Sequence, residues 1–501
     1  MKLYLIKGLL LCSIMAQAQG LRLNDNSYEH IPQKKSNLTV SSKGLPSQVD
    51  LSAYVPSVIN QGPLGTCVGV STTYYMRTML EAMRLGITNK KSIDSLRFSP
   101  SYIYNIIKDK SDVSCKMGSE IQDALAYMKT QGVARFAEQG YPYCAANKSL
   151  KLTEDSKILD YVKLFDLLDE GNNVAKVKAT QKALAEGSPV VVGVQTTPSL
   201  HDLQELSFWR RLWLQILHFL GIDTDAETSL WKPEKSSRLG NGHAMCVVGY
   251  DSSRFGGAFR VVNSYGTAWG DDGYFWIRFT DYQDYAKYGF QSYVRAANDT
   301  AQVLLSGDVS ISIADTYKGT EPPFTRQLLG RQGRNSDTLV AYSLNDPQQT
   351  CTPFKFSSNV DKQTYLYVIG GNTAVSSIDT LFPGDPSISP IVGANTKIIL
   401  PSEGDNYILF GDAGTEYWLF LFSERPLAMQ AYVQKMMQRS GSFASRVLFA
   451  FGDELIPYEQ VNYKDKKMGF ELKGTHKGHI VPLMISLKHI DNPKNKQGDC
   501  Q

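Results

Sequence analysis

Apolar residues recur at helical spacing after Cys67, through Val70, Tyr74, Tyr75, Met79, Leu80 and Met83. This predicts a helix that opens at the cysteine and stops at Gly86. Further helices are expected over 99–108 and 118–132, the second closed by Gly132. The pattern then changes to short runs between glycines: Pro189–Val194, Ala244–Tyr250, Ala258–Val262 and Tyr274–Ile277. These read as strands, and a helical half followed by a β half is an α+β layout. From about residue 300 the strand pattern dominates, in Val309–Ala314, Thr338–Leu344, Thr364–Ile369, Lys397–Leu400, Tyr407–Phe410 and Glu416–Phe422. Pro426–Met437 and Ser442–Phe451 read as helices within this second, β-rich domain.

Two domains suit a chain of 501 residues. A hydrophobic content of 42% and a charged content of 20% exclude disorder and an integral membrane protein. The net charge is +3 and includes Lys2 and Lys7. Both flank an apolar run through Leu9, Leu10, Leu11, Ile14 and Met15, before Ala16-Gln17-Ala18. That is the pattern of a secretory signal peptide over residues 1–18, too short to span a membrane, with Gln19 as the first mature residue. A lipid anchor on Cys12 is disfavoured by Leu11, which stands where a small residue is needed. The near-neutral remainder gives no electrostatic reason to expect nucleic acid.

Residues 19–44 are polar, rich in Asn, Ser and Lys, and read as a mobile leader. Residues 45–298 form the first domain, 305–490 the second, and 491–501 a polar tail. The segment at about 200–240 holds Phe208, Trp209, Leu212, Trp213, Ile216, Leu217, Phe219 and Leu220, with Arg210 and Arg211. A helical flap packed on the domain fits better than a membrane-surface helix, because only two arginines accompany the apolar residues. His476 and His479 sit in a Gly/Lys-rich stretch with no helix or further ligands, which favours a solvated loop over a metal site.

The candidate chemistry lies in the first domain. A thiol acts as a nucleophile only as thiolate, and a helix N-terminus or an imidazolium lowers its pKa. Cys67 follows the turn-rich Gly62-Pro63-Leu64-Gly65-Thr66 and opens the predicted helix. His243 follows Gly240-Asn241-Gly242, and Asn263 ends a strand, where its side chain can hold an imidazole ring in one orientation. Cysteine, base and orienting amide form a nucleophilic constellation, and Gln61 adds an amide donor for a developing oxyanion.

These segments also resemble the papain family. Asn60-Gln61-Gly62-Pro63-Leu64-Gly65-Thr66-Cys67 is similar to its NQGxCGSC block. Gly242-His243-Ala244-Met245-Cys246-Val247-Val248-Gly249-Tyr250 resembles HAVxxVGY, and Asn263-Ser264-Tyr265-Gly266 through Gly273-Tyr274 resembles NSWGxxWGxxGY. Cys115-Lys116-Met117-Gly118 and Tyr141-Pro142-Tyr143 echo two further blocks. The resemblance implies a helical subdomain and a β-barrel subdomain with a cleft between them. It implies Cys67 as nucleophile, His243 as acid/base, Asn263 as orienter, and Gln61 with the Cys67 N–H as oxyanion hole. Tyr265 replaces a tryptophan and retains an aromatic cover over the His–Asn pair; Trp269 and Trp276 read as core aromatics. Leu64 stands where many members have a disulfide cysteine, so the resemblance pairs Cys115 with Cys144 instead, while Cys246 in its apolar strand reads as a buried thiol. The leader is far shorter than the family's inhibitory propeptide, which argues against autoinhibition by a folded prodomain. Cys67 and His243 are 176 residues apart, against about 130–150 in the family signature. The excess falls in the 200–240 insertion, read as a wall or lid of the cleft.

The expectation is therefore an exported cysteine peptidase acting on a peptide or protein, with no metal or organic cofactor. The rival is a catalytically silent peptide-binding or adhesion protein that works through its C-terminal domain. That domain looks similar, through Leu381-Phe382-Pro383-Gly384 and Gly414-Thr415-Glu416-Tyr417-Trp418, to an uncharacterised β-rich accessory domain of bacterial envelope proteins. An envelope or protein partner is its expected ligand.

Overall fold

A computed structural model describes residues 20–34, 38–39, 44–167, 173–201, 203, 213, 216, 229–234, 242–295, 303–313, 321–330, 338–373, 377–401, 408–409 and 413–491. The signal-peptide reading and most of the 200–240 flap thus lie outside the described residues. The chain divides into two compact units, one of residues up to Asp25 with Asp50–Ile158 and Pro189–Tyr288, the other of Asn26–Val49, Leu159–Ser188 and Gly289 onward.

In the first unit the helix opening at the cysteine is continuous through Cys67–Gly69, a π-helical stretch Val70–Arg77, and Thr78–Arg84. The spacing suggested an amphipathic helix, yet every residue from Cys67 to Ala82 is buried. Its threonine hydroxyls are satisfied locally. Thr72 and Thr73 donate to the carbonyls of Val68 and Gly69, at 2.7 and 2.6 Å, and Arg77 pairs with Glu81 at 3.0 Å. A helix whose hydroxyls bond back to its own turn presents little polarity outward, so it can be surrounded. Gly69 permits a close crossing, since a Cβ there would lie 2.6 Å from the Pro100 carbonyl oxygen. That neighbouring helix, Pro100–Ile107, is capped by Ser99, and Ile121–Thr130 follows.

The β part of this unit runs Val190–Gln195, Gly242–Asp251, Ala258–Val262 and Tyr274–Arg278, each antiparallel to the next. The first nine residues of Gly242–Asp251 are buried, so the strand reads as a continuous apolar run without alternation. Cys115 is bonded to Cys144 as expected, and Cys246 is a buried free thiol. Tyr265, Trp269 and Trp276 are all buried.

The second unit is a β-sandwich. One sheet orders Leu38–Thr39, Thr396–Leu400, Pro353–Val360, Val303–Ile313, Gly469–Lys473 and Val461–Tyr463. The other orders Phe324–Gly330, Thr338–Leu344, Ile480–Ile490, Gly414–Ser423, Thr364–Asn372 and Ile378–Phe382. Successive side chains of a strand face opposite ways, and Gly414–Ser423 uses both faces. Trp418, Phe420 and Phe422 enter the core shared with Val309, Phe356, Ile398 and Phe470 of the first sheet. Leu419 and Leu421 enter a second core, capped by Met436, Val447 and Phe451 of the helices Met429–Met437 and Phe443–Phe451.

Two expectations are corrected in this unit. The leader is not mobile where it is described: Leu38 and Thr39 pair with Ile398 and Lys397, and Gln33 bridges both Lys163 and Ile388. Polarity misled the reading because Lys34 is buried against Glu186. His476 and His479 do lie in a loop, but not a solvated one. Their side chains are 9% and 8% exposed beside Glu424 and Glu454, and Arg425 hydrogen-bonds His479 at 3.0 Å.

Candidate active site

Cys67 is the first residue of its helix and is fully buried. Its Sγ accepts the Ala244 N–H at 3.5 Å, which puts the sulfur in reach of the peptide that follows His243. The N–H groups of Gly20, Val68 and Cys67 itself also favour a thiolate there. Burial outweighs them and pushes the thiol up to about 11. The sequence led us to expect a lowered value; desolvation of the charged form is the reason for the difference.

His243 Nε2 donates to Asn263 Oδ1 at 2.8 Å. The same Oδ1 accepts the Ser264 N–H at 2.8 Å, which fixes the amide's orientation. Tyr75, on the nucleophile's own helix, donates to the Asn263 carbonyl at 2.9 Å. With Nε2 occupied, the imidazole's remaining nitrogen is Nδ1, which is buried without a partner among the described residues. Burial lowers the His243 pKa to about 4, against the Asn263 bond that favours the charged ring, and a nearby His201 lowers it further. Tyr265 stacks over the His243 ring with centroids 5.2 Å apart. His201 stacks on Tyr265 at 5.6 Å, and Trp269 meets Tyr265 edge-on at 5.4 Å. This aromatic cover keeps water from the His–Asn bond, which strengthens it.

Gln61 is buried, and its backbone N–H donates to the Ser264 carbonyl at 2.8 Å. Its Oε1 accepts from the Ser264 hydroxyl, and its Nε2 donates one hydrogen to the Leu64 carbonyl at 2.8 Å. The four residues singled out in the sequence thus come from three separated stretches and meet in one unit. Tyr75, Ser264 and His201 were not foreseen. Ser264 lies inside a recognised block, while the other two carry no local signal.

A further chain segment lies at the sulfur. Leu21 N–H donates to the Gly242 carbonyl at 3.1 Å, Arg22 N–H to the Ser119 carbonyl at 2.9 Å, and Ser119 N–H to the Gly20 carbonyl at 2.8 Å. Leu21 is therefore bridged antiparallel to Gly242 and parallel to Ser119. The groove admits bare backbone. A Cβ on Gly20 would lie 2.0 Å from the Gly65 oxygen, one on Gly118 2.3 Å from the Gly20 oxygen, and one on Gly242 2.7 Å from the Leu21 oxygen. The Leu21 side chain is buried against Gly193.

Residues 45–206 and 227–296 match the model of the papain family cysteine protease, which leaves 207–226 unmatched. Cysteine proteinase 3 of Entamoeba histolytica is 27% identical over 250 residues, covering 50% of this chain and 68% of that protein. Cathepsin K of Mus musculus is 23% identical over 232 residues, 46% of this chain and 59% of the mouse protein. Among solved structures, xylellain, a cysteine protease from Xylella fastidiosa, is 20% identical with a TM-score of 0.38, covering 56% of this chain and 96% of that one.

Proposed function

Because residues 45–206 and 227–296 match the papain family of cysteine proteases, we propose that this chain is an exported peptidase that hydrolyses peptide bonds through a thioester acyl-enzyme. Cys67 sulfur attacks the scissile carbonyl while its proton passes to His243 Nδ1. The resulting oxyanion is held by the Gln61 side-chain amide and the Cys67 backbone N–H. Collapse breaks the C–N bond, and the leaving amine takes the proton from His243. Water, deprotonated by the same ring, then splits the thioester and restores the thiol. Asn263 keeps Nε2 protonated throughout, so that Nδ1 is the basic nitrogen.

The observation that carries this reading is the His243 Nε2–Asn263 Oδ1 bond of 2.8 Å, which assigns the ring's two nitrogens different tasks. Sulfur supplies the nucleophile and the imidazole the proton transfer, so the chemistry calls for no metal or organic cofactor. Residues 1–18 are read as a cleaved signal peptide, which places the enzyme in the periplasm, cell envelope or medium. No helix among the described residues is long and apolar enough to cross a membrane. Residues 305–490 are read as an accessory domain that binds an envelope or protein partner.

The test is peptide-library profiling of the protein beginning at Gln19, with Cys67→Ala as control. Cleavage that depends on Cys67, with stoichiometric labelling of Cys67 by a thiol-directed epoxide, is the expected result. A folded protein that neither cleaves nor labels would instead be a silent binding protein.

A further inference from the structure

One sheet of the C-terminal sandwich carries a polar hollow on its outer face. Val309, Phe356, Ile398 and Phe470 point into the core, so their strand neighbours point away from it. Pairing sets four of these outward positions level: Lys397 opposite Asn359, Asn359 opposite Asp308, and Asp308 opposite Gly469. The row across the sheet therefore reads ammonium, amide, carboxylate and a gap. Gly469 makes the gap, since a Cβ there would lie only 3.1 Å from the Asp308 Cβ. With Lys464 and Lys467 from the bend before Gly469, and Asp361 just after Asn359, the row lines a cavity of about 560 Å³. That volume falls within the range of about 300–1,000 Å³ typical of small-molecule sites.

The charges lining this cavity are paired but not saturated. Asp308 accepts from Asn359 Nδ2 on one oxygen and pairs with Lys467 through the other, each at 2.8 Å. Glu471 pairs with Lys464 at 3.0 Å. An ionised carboxyl has about four lone-pair sites and an ammonium three hydrogens, so both partners of each pair keep capacity for a ligand. Lys397, Lys464 and Lys467 stand against Asp308, Asp361 and Glu471, which leaves no excess of either sign. An anion would have to compete with Asp308 and Glu471 for their lysines, and a cation with the lysines for their carboxylates. An apolar side chain would find nothing to cover, because Val360 and Phe470 are already buried. A hydroxyl both donates and accepts. Two hydroxyls on adjacent carbons can give one hydrogen bond to Asp308 and take another from Lys467, without parting the pair.

We infer that this cavity is a binding site for a neutral polyhydroxylated ligand, a sugar, with Asp308, Asn359 and Lys467 as its central contacts. The inference deepens the accessory-domain reading above by naming the ligand's chemistry and the residues that recognise it. It does not depend on the peptidase chemistry at Cys67.

The test offers the protein beginning at Gln19 a panel of neutral and of sulfated or carboxylated oligosaccharides, and each one retained is titrated by calorimetry. A neutral member should bind, with an affinity little changed between low and high salt, because an uncharged ligand is not screened. Asp308→Ala should weaken that binding at least tenfold. Lys467→Ala, at a half-exposed position, should weaken it at least threefold, and thermal unfolding confirms that each variant folds. Tighter binding of the oligosaccharide than of its monosaccharide would support the site with a polymer as ligand, and equal affinities would support it with a free sugar. Binding that neither variant weakens would overturn the cavity as the site and leave the accessory-domain reading standing. Retention of the anionic members alone, lost at high salt, would overturn the neutral ligand. Retention of none would overturn the inference and leave the accessory-domain reading to a protein partner.

Discussion

The groove around Cys67 and the C-terminal sandwich bury their residues by opposite rules. In the sandwich, alternation decides everything: Trp418, Phe420 and Phe422 go one way, Leu419 and Leu421 the other, and local preference agrees with the final fold. Around Cys67 the buried set is polar, comprising Gln61, His243, Asn263 and Ser264, with His243 Nδ1 and Asn263 Nδ2 left without partners among the described residues. Buried polar atoms without partners cost free energy, and a fold keeps them where chemistry uses them. The difference teaches where to look for function: in the region where buried polar groups gather, rather than in the one where alternation sorts the large apolar side chains.

The sharpest way to break this comparison is to remove the sulfur. Cys67→Ala should abolish peptide hydrolysis, by at least about 10⁴-fold in kcat, while the thermal transition stays near that of the parent. Retained activity would detach the polar cluster from function altogether. In the sandwich, Trp418→Ala should act the other way. It removes a ring that packs on Phe354 and Phe356, at 5.2 and 5.0 Å, and should cost about 3–5 kcal/mol of stability, read by denaturant unfolding. Gln61→Ala stands between the two. Losing one oxyanion donor should cost about 2.7–4 kcal/mol in kcat/KM, with KM little changed. An equal loss of binding would instead make Gln61 a groove residue.

The nucleophile's helix and the strands of the β half were legible in the sequence, because spacing of 3.6 and glycine-bounded β runs are local signals; the Cys115–Cys144 bridge was expected only through the family resemblance and its departure at Leu64. Thr338–Leu344 and Glu416–Phe422 were read almost to their ends for the same reason. Pro353–Val360 and Ile480–Ile490 were missed: Pro353, Pro482 and the Lys488-His489 pair look like breakers, yet these strands lie within the sheets. The groove residues within the recognised blocks were legible as a pattern of residue types. Gly20 and Leu21 were not, because a segment held by backbone hydrogen bonds leaves no side-chain periodicity to read. Lys34 misled outright, since a lysine in a polar stretch gives no hint of a buried carboxylate waiting 152 positions later.

The pH response sharpens the contrast further, since it comes from the site's neutral histidine and buried thiol. Burial holds His243 near 4, below its ordinary unfolded value of about 6.5. The unfolded chain therefore takes up a proton first as pH falls, and stability drops between about pH 6.5 and 4. The loss should be on the order of 3 kcal/mol at full effect. Cys67 works at the other end. Its thiol, held up at about 11, keeps a proton that the unfolded chain has lost, so stability also falls as pH rises from about 9 to 11. His243→Gln should flatten the acid limb alone, measured by urea titration across pH. An unchanged acid limb would mean that other groups govern it.

The smallest effects separate the regions most finely, because both use the same device. Ser99 caps the helix Pro100–Ile107 by accepting the Tyr102 N–H at 3.1 Å, and Ser442 caps Phe443–Phe451 by accepting the Ser445 N–H at 3.2 Å. Alanine at a cap typically costs about 0.5–2 kcal/mol. Ser99 is buried, so its loss strands the Tyr102 N–H away from water and should fall at the upper end. Ser442 is exposed, so water replaces it and the loss should fall at the lower end. Only Ser99→Ala should also slow peptide hydrolysis, since Pro100 carries the carbonyl against which Gly69 packs, two residues after the nucleophile. Matched unfolding curves with matched activity losses would show that helix ends matter alike in both regions, and that the nucleophile's helix is not set by its neighbour.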